Sequence, residues 1–168
     1  MIFSRQDKCE RLIYLFILFT LFMSRNFHQG IFNPKHPEKY AGNFKNIIYR
    51  SSWELKFFHY LDNREDVIYW SSEELAIPYF NPIDQKIHRY FPDIIFKVKT
   101  TDGNESVFMV EIKPYKQTLE PIKKRNTKTF ITESVTYAIN QSKWKAADKF
   151  CSERGWTFKI ITEKDLNF

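Results

Sequence analysis

The sequence predicts an α/β fold with a mixed sheet of about four to five strands and a helix on each face. Apolar runs rich in Val, Ile, Phe and Tyr recur over residues 67–113, and turn residues separate them, which is typical of strands. One amphipathic segment precedes these runs and a longer one follows them. The two segments therefore provide a helix for each side of the sheet.

The composition fits one domain in a chain of 168 residues, because 43% of the residues are hydrophobic and 18% are aromatic. The pattern predicts an apolar extension over residues 1–22, an extended arm over residues 23–48 and a folded domain over residues 49–168. Cys9 and Cys151 share no metal-binding spacing, which gives no support to a zinc site or a disulfide scaffold.

The apolar extension contains a run without charges from Leu12 to Met23. A membrane-spanning helix needs about 20 residues, so a membrane is not an expected partner. Three interpretations stay open: Met23 is the true start, the run is a short anchor or signal core, or it packs as an extension of the domain. The arm that follows contains Pro34, Pro37 and Gly42, which predict little regular structure.

The first predicted element of the domain is an amphipathic helix over residues 51–61. Glu54 shares its inward face with Phe57, Phe58 and Leu61, and a carboxylate there needs a partner. Ser51 and Glu54 also match a capping box, in which Glu54 satisfies backbone N–H groups at the helix start. A role in a metal site and a role in capping stay open together.

Strands are predicted over residues 67–70, 75–80, 89–99 and 106–113. The sequence Asp102-Gly103 between the last two is a strong hairpin signal. This hairpin would place Asp93 beside Glu111. Because side chains alternate along a strand, Glu111 and Lys113 would point to the same face.

Two carboxylates and an ammonium group on one face are suited to phosphodiester chemistry. Mg²⁺ prefers oxygen ligands and typically uses one or two carboxylates with waters and phosphate oxygens. Asp93 and Glu111 are therefore the predicted metal ligands, with Glu54 assisting. Lys113 would orient the nucleophile or balance charge. Mg²⁺ is the expected cofactor, and Mn²⁺ is an alternative.

The net charge of +6 favours a polyanionic partner. A basic loop over residues 114–128 leaves the strand of Glu111, and Glu120 is its only acidic residue. Its basic side chains are predicted to contact DNA phosphates. They are Lys116, Lys123, Lys124, Arg125 and Lys128.

The last predicted elements are a helix over residues 132–151 and a strand over residues 156–161, separated by Gly155. Gln141 lies on the polar side of this helix and is a candidate to support the metal site, although an exposed polar residue is the simpler interpretation. The predicted stripe that faces the sheet consists of Val135, Ile139, Ser142, Ala146 and Phe150.

The order of these motifs resembles the PD-(D/E)xK nuclease superfamily, and within it the head-completion proteins of T-even-type tailed phages. It is similar, more distantly, to the N-terminal nuclease domain of the Tn7-type transposition endonuclease. The resemblance covers about residues 23–168. The motifs that carry it are Tyr49–Glu54, Ile77–Tyr79, Arg89–Asp93, Val110–Pro114 and Lys143–Ala147.

The resemblance implies a restriction-endonuclease-like fold and a metal-dependent DNA endonuclease that acts in head completion on packaged DNA ends. Glu54, Asp93, Glu111 and Lys113 would carry the catalytic roles. Double-stranded DNA is the expected partner, together with portal or neck proteins of the capsid. The expected location is the host cytoplasm during assembly, with retention in the virion left open.

Two other functions stay open. The chain would be a structural DNA-end cap or head-neck plug if it kept the nuclease fold without turnover. The intact pair of Glu111 and Lys113 favours the enzyme over the cap, because an inactive site has no need of it. A nuclease of a mobile element or a defence system is the third interpretation.

Overall fold

The computed structural model describes residues 29–123 and 127–165. The apolar run from Leu12 to Met23 lies outside these residues. The strands are β1 (Gly30–Phe32), β2 (Ile47–Tyr49), β3 (Val67–Ser71), β4 (Ile77–Asn81), β5 (Lys86–Tyr90), β6 (Ile94–Lys99), β7 (Glu105–Ile112) and β8 (Thr157–Ile161). The α-helices are α1 (Ser52–Asn63) and α2 (Lys128–Ser152). None of the helices in the described part of the chain is long and apolar enough to cross a bilayer.

The central sheet has the strand order β3-β6-β7-β8. Strands β3, β6 and β7 are antiparallel, and β8 is parallel to β7 because α2 returns the chain across the sheet. Gly103 in the β6–β7 turn has φ +82°, a conformation that glycine adopts without steric cost. The predicted mixed sheet and the predicted hairpin turn are both confirmed.

Side-chain alternation divides the interior into two cores. On one face of the sheet, β6 and β7 contribute Phe96 and Phe108 to a first core, which α1 covers with Phe58 and Leu61. On the other face, Ile95 and Met109 belong to a second core, which also contains Ala147 and Cys151 of α2. The prediction of one helix on each face is therefore confirmed.

The predicted single strand over residues 89–99 is wrong, because the chain bends at Phe91–Asp93. Strand β5 ends before the bend and pairs only with β4, so that β4 and β5 form a separate two-stranded sheet. Strand β6 starts after the bend and joins the central sheet. Pro92 at the bend is buried and cannot donate a backbone hydrogen bond to a strand.

The prediction of little regular structure in the arm is wrong for residues 30–49. Strands β1 and β2 pair there as an antiparallel sheet, and two short 3-10 turns join them. Phe32, Tyr40 and Ile47 are buried in the first core. The prolines and Gly42 of this stretch lie in the connection between β1 and β2.

Helix α2 starts earlier than predicted, at Lys128, because the side chain of Thr127 caps it by accepting from the N–H of Phe130 at 3.1 Å. Gly155 follows its end with φ +67°, as predicted for a helix stop. The predicted stripe is only partly correct, since Ile139, Ala146 and Phe150 pack against the second core but are half-buried. The buried positions of this helix are Asn140, Trp144, Ala147 and Cys151.

Candidate active site

Asp93 lies in the bend between β5 and β6. Its Oδ2 atom accepts a hydrogen bond from the backbone N–H of Ile112 at 2.7 Å. This bond attaches the bend to β7, next to Glu111. The bend that interrupts the predicted strand therefore brings the two predicted carboxylates together.

Glu111 on β7 is held by two protein groups, one just after β7 and one at the end of β5. Its side chain is only 3% exposed, and its Oε1 atom lies 2.9 Å from Nζ of Lys113. Its Oε2 atom accepts a hydrogen bond from the hydroxyl of Tyr90. Glu111 and Lys113 meet on the sheet face that carries Met109, as the alternation of strand side chains predicted.

The charges of the site shift the pKa values of Asp93 and Lys113. Burial, and next the negative charge of Glu111, raise the pKa of Asp93 to about 7, while Lys113 and the Ile112 N–H oppose that rise. Burial lowers the pKa of Lys113, but the charges of Asp93 and Glu111 outweigh it and raise the pKa above its ordinary value. The site therefore holds a protonated lysine beside two competing carboxylates.

Glu54 stands at the start of α1 and caps the helix. Its backbone N–H donates to Oγ of Ser51 at 3.1 Å, and its carboxylate accepts from the Ser51 hydroxyl at 2.8 Å and from the Arg50 N–H at 2.9 Å. Glu54 therefore satisfies a backbone N–H at the helix start as predicted, although the donor is Arg50, one residue before the N-cap Ser51. The charge of Glu54 also contributes to the raised pKa of Asp93, which places its carboxylate within electrostatic reach of the site.

Tyr90 is a site residue that the sequence interpretation missed. It is 3% exposed, and burial followed by the charge of Glu111 raises the pKa of its hydroxyl. Nζ of Lys143, on α2, lies 5.8 Å from the centre of the Tyr90 ring and 5.7 Å from that of Tyr79. A tyrosine two residues before a Pro-Asp pair gives no local signal that its hydroxyl reaches a carboxylate on another strand.

The donor set fits a hard divalent cation. Asp93 and Glu111 supply carboxylate oxygens, and a cation bound by them would offset the burial and the mutual repulsion that raise the pKa of Asp93. Within residues 29–123 and 127–165, no group of three or more His, Cys, Asp or Glu side chains is arranged to hold a metal ion. The two carboxylates are therefore the core of the candidate site, and the assisting role of Glu54 stays a prediction.

The structure describes three of the five residues that are predicted to contact DNA. Lys116 lies in the 3-10 turn Tyr115–Thr118 and pairs with Glu133 at 2.6 Å, and Lys123 is exposed. The assignment of Lys128 to a loop is wrong, because this residue is the exposed first residue of α2. Lys124 and Arg125 lie outside the described residues.

Gln141 is exposed on α2, and it lines an open groove with Trp144 and Phe158. Among the residues the structure describes, it has no hydrogen bond to Asp93 or Glu111. Its neighbour Asn140 is the buried amide of this helix. A supporting role for Gln141 in the site therefore stays a prediction.

Comparison with known proteins assigns the chain to a family. Residues 64–163 match the family model described as TnsA-like endonuclease N terminal. The chain belongs to the TnsA-like endonuclease family. It is also 41% identical over 144 residues to the head completion nuclease of Enterobacteria phage T4, an alignment that covers 83% of this chain and 93% of the relative. No solved structure matches it.

The matches confirm the predicted resemblance to phage head-completion proteins and to the Tn7-type endonuclease domain. The central mixed sheet and the two helices are consistent with the restriction-endonuclease-like fold that the resemblance implied. The residues matched by the TnsA-like endonuclease model include Asp93, Glu111 and Lys113, and they begin after Glu54. The carboxylate pair and the lysine therefore belong to the part of the chain that defines the family.

Proposed function

We propose that this chain is a metal-dependent DNA endonuclease of the PD-(D/E)xK type that acts in phage head completion on packaged DNA ends. The observation that carries the proposal is the meeting of Asp93, Glu111 and Lys113 at one place in a chain of an endonuclease family. The name of the phage T4 relative supports the role in head completion. Assembly in the host cytoplasm is the corresponding location, with portal or neck proteins as further partners.

Asp93 and Glu111 would hold Mg²⁺, or Mn²⁺ in its place. Such an ion, when bound, lowers the pKa of a coordinated water and neutralises charge on a phosphate oxygen. Tyr90 and Lys113 fix the Glu111 carboxylate from two sides, so that little reorganisation is needed when substrate binds. Lys113 also keeps its proton beside the carboxylates, and its ammonium group is available to the charge on the scissile phosphate.

The basic residues after β7 would contact phosphates away from the cleaved bond. Lys123 and Lys128 are exposed; Lys123 precedes α2 and Lys128 is its first residue. Lys116 shares its charge with Glu133. Lysines of this kind give affinity without sequence preference. Cleavage specificity would then depend on other surfaces of the molecule.

The test is incubation of the purified protein with linear and circular duplex DNA in Mg²⁺, Mn²⁺ or EDTA. We expect cutting of both DNA forms with either metal and none in EDTA. Circular DNA that stays intact while linear DNA is shortened would contradict an endonuclease. Asp93→Asn and Glu111→Gln should each abolish cutting, and wild-type cutting by both variants would contradict the site.

Lys113→Ala separates the enzyme from a DNA-end cap. We expect this variant to lose cleavage but keep most of its DNA affinity, because one partly buried lysine contributes little to phosphate binding. The cap would be favoured if wild type and variant were equally inert with either metal while both bound DNA ends tightly. Retained cleavage by Lys113→Ala would remove the lysine from the proposed mechanism.

A further inference from the structure

The hairpin of β4 and β5 has one buried face and one exposed apolar face. Tyr79 and Tyr90 point inward and are 6% and 3% exposed. Phe80 and Ile87 lie directly opposite each other on the outward side, and they are 54% and 69% exposed. A two-stranded sheet with such large apolar side chains in solvent is unusual unless it meets a partner.

The exposed patch continues at both ends of the hairpin. Ile83 in the turn is 53% exposed, and Phe91 after β5 is 39% exposed. The Arg89 guanidinium lies 5.6 Å from the centre of the Phe91 ring, and Arg89 stands opposite Pro78 in the register. We call these residues the outer hairpin face: Pro78, Phe80, Ile83, Ile87, Arg89 and Phe91.

The charge of the outer hairpin face is positive. Arg89 forms no ion pair with any residue in the described ranges. The two acidic residues nearest in sequence have other partners: the carboxylate of Asp84 in the turn lies 2.7 Å from Nε2 of His88, and that of Asp93 accepts from the Ile112 N–H. His88 belongs to the inward side, where its ring contacts Tyr79. Apolar side chains beside an unpaired arginine can stack on bases and contact phosphates. Nucleic acid is therefore a better partner for this face than another protein.

The outer hairpin face is connected directly to the candidate site along the chain. Tyr90 ends the hairpin and holds Glu111, and Asp93 follows three residues later. Phe91 is exposed between them. Phe91 and Arg89 are therefore the members of the outer hairpin face that are closest in the chain to Asp93.

We propose that the outer hairpin face binds unstacked DNA bases next to the cleavage site. Phe80 and Ile87 are the apolar wedge, because side chains of this kind insert between base steps or stack on exposed bases. Arg89 contacts the adjoining phosphate. The substrate is then DNA with locally opened base pairs. This inference rests on the proposed function, and it adds a preference that the active site alone does not provide.

The test uses Phe80→Ser/Ile87→Ser in a Glu111→Gln background, which prevents cutting. The matched control is Ile31→Ser in the same background, since Ile31 on β1 is 60% exposed and lies outside the hairpin. Fluorescence anisotropy measures binding to a fully paired duplex and to the same duplex with a central bubble of mismatches. A 2-aminopurine base in the paired duplex reports unstacking.

We expect the background protein and the Ile31→Ser control to bind the bubble about tenfold more tightly than the paired duplex. The double variant should lose that preference and keep its affinity for paired DNA. Binding should raise the 2-aminopurine fluorescence for the control but not for the double variant. Unchanged melting temperatures would show that the substitutions act on the surface.

Three results would overturn the inference. One is a double variant with the same preference and fluorescence as the control. Another is an equal loss of affinity for both DNA forms. The third is a concentration-dependent dimer that the double variant abolishes, since this would assign the face to a second copy. Absence of cleavage and of all DNA binding by wild type would instead remove the proposed function itself.

Discussion

At the scale of single residues, the candidate site depends on how one carboxylate is held. Glu111 is nearly excluded from solvent, and its two oxygens contact Lys113 and Tyr90. A buried carboxylate without partners would be costly, and with two partners it has one orientation. Asp93 differs, because one oxygen is fixed by the Ile112 N–H and its charge competes with that of Glu111.

Tyr90→Phe tests the tyrosine as a positioning residue. The ring keeps the packing, but Glu111 loses one hydrogen bond, so we expect kcat to fall about 10- to 100-fold and the Mg²⁺ requirement to rise, with KM for DNA nearly unchanged. Steady-state cleavage against Mg²⁺ concentration measures this. The matched control is Tyr79→Phe, whose ring also faces Lys143 but whose hydroxyl does not reach Glu111. An equal loss in both variants would contradict the assignment.

Asp93→Asn should stabilise the metal-free protein at pH 8. Because the folded-state pKa of Asp93 is raised to about 7, protonation of Asp93 stabilises the fold at low pH, and that stabilisation is lost as pH rises through 7. Asparagine removes the charge and keeps an acceptor for the Ile112 N–H. We expect a gain on the order of 1 kcal/mol in EDTA at pH 8, measured by urea unfolding. A gain of the same size at pH 4 would contradict this cause.

At the scale of elements, the two ends of α1 make different hydrogen bonds. Its start is capped by Ser51 and Glu54, whose carboxylate is also in electrostatic reach of Asp93. Near its end, Asp62 is fully buried and accepts from the backbone N–H groups of Lys35 and His36, at 2.7 Å and 3.1 Å. The end of α1 therefore holds the segment that precedes the helix.

Glu54→Gln separates capping from assistance to the site. Glutamine is a good residue at this capping position, so the melting temperature should change by only a few degrees. If Glu54 assists the metal site, cleavage should fall at least about tenfold, because the carboxylate charge is lost. A DNA-cleavage assay and a thermal melt measure the two effects. Wild-type cleavage by Glu54→Gln would leave Glu54 with the capping role alone.

Asp62→Ala should loosen the attachment of residues 30–49 to the first core. The backbone N–H groups of Lys35 and His36 would lose their acceptor and the buried carboxylate would leave a gap, which we expect to lower the free energy of unfolding by about 2–4 kcal/mol. Urea unfolding measures the loss. Asn63→Ala is the control at the next, exposed position, and its effect should stay below about 1 kcal/mol. Equal effects of the two substitutions would show that the Asp62 bonds add little.

At the scale of the whole molecule, the positive charge is the feature most relevant to DNA. The chain carries 26 basic and 20 acidic residues, and many of the charges pair with one another. Lys123 and Lys128 are exposed near the start of α2 and have no ion pair among the described residues. They are therefore better candidates for phosphate contacts than Lys116, which pairs with Glu133.

Lys123→Ala/Lys128→Ala should weaken DNA binding and reduce its salt dependence. Each lost phosphate contact should lower the slope of log K against log salt by about 0.9 on duplex DNA. Titrations at several salt concentrations measure the slope. The control is Lys45→Ala/Lys99→Ala, which removes the same charge at two exposed positions outside residues 114–128. A similar slope change in both double variants would mean that only net charge matters.

The sequence by itself determined the features that depend on local periodicity. Alternation along β7 placed Glu111 and Lys113 on one face, Asp102-Gly103 predicted the turn, and the spacing of Phe57, Phe58 and Leu61 predicted α1. These features follow from backbone geometry over a few residues. The motif order also indicated the family, which the relatives confirm.

Only the tertiary structure decided the features that join distant parts of the chain. The bend at Asp93, the bond from Tyr90 to Glu111 and the capture of two backbone N–H groups by Asp62 each link residues about 20 or more positions apart. No period in the sequence encodes such contacts. They arise because buried polar groups must find partners across the cores, and that requirement is met only once the strands and helices have packed.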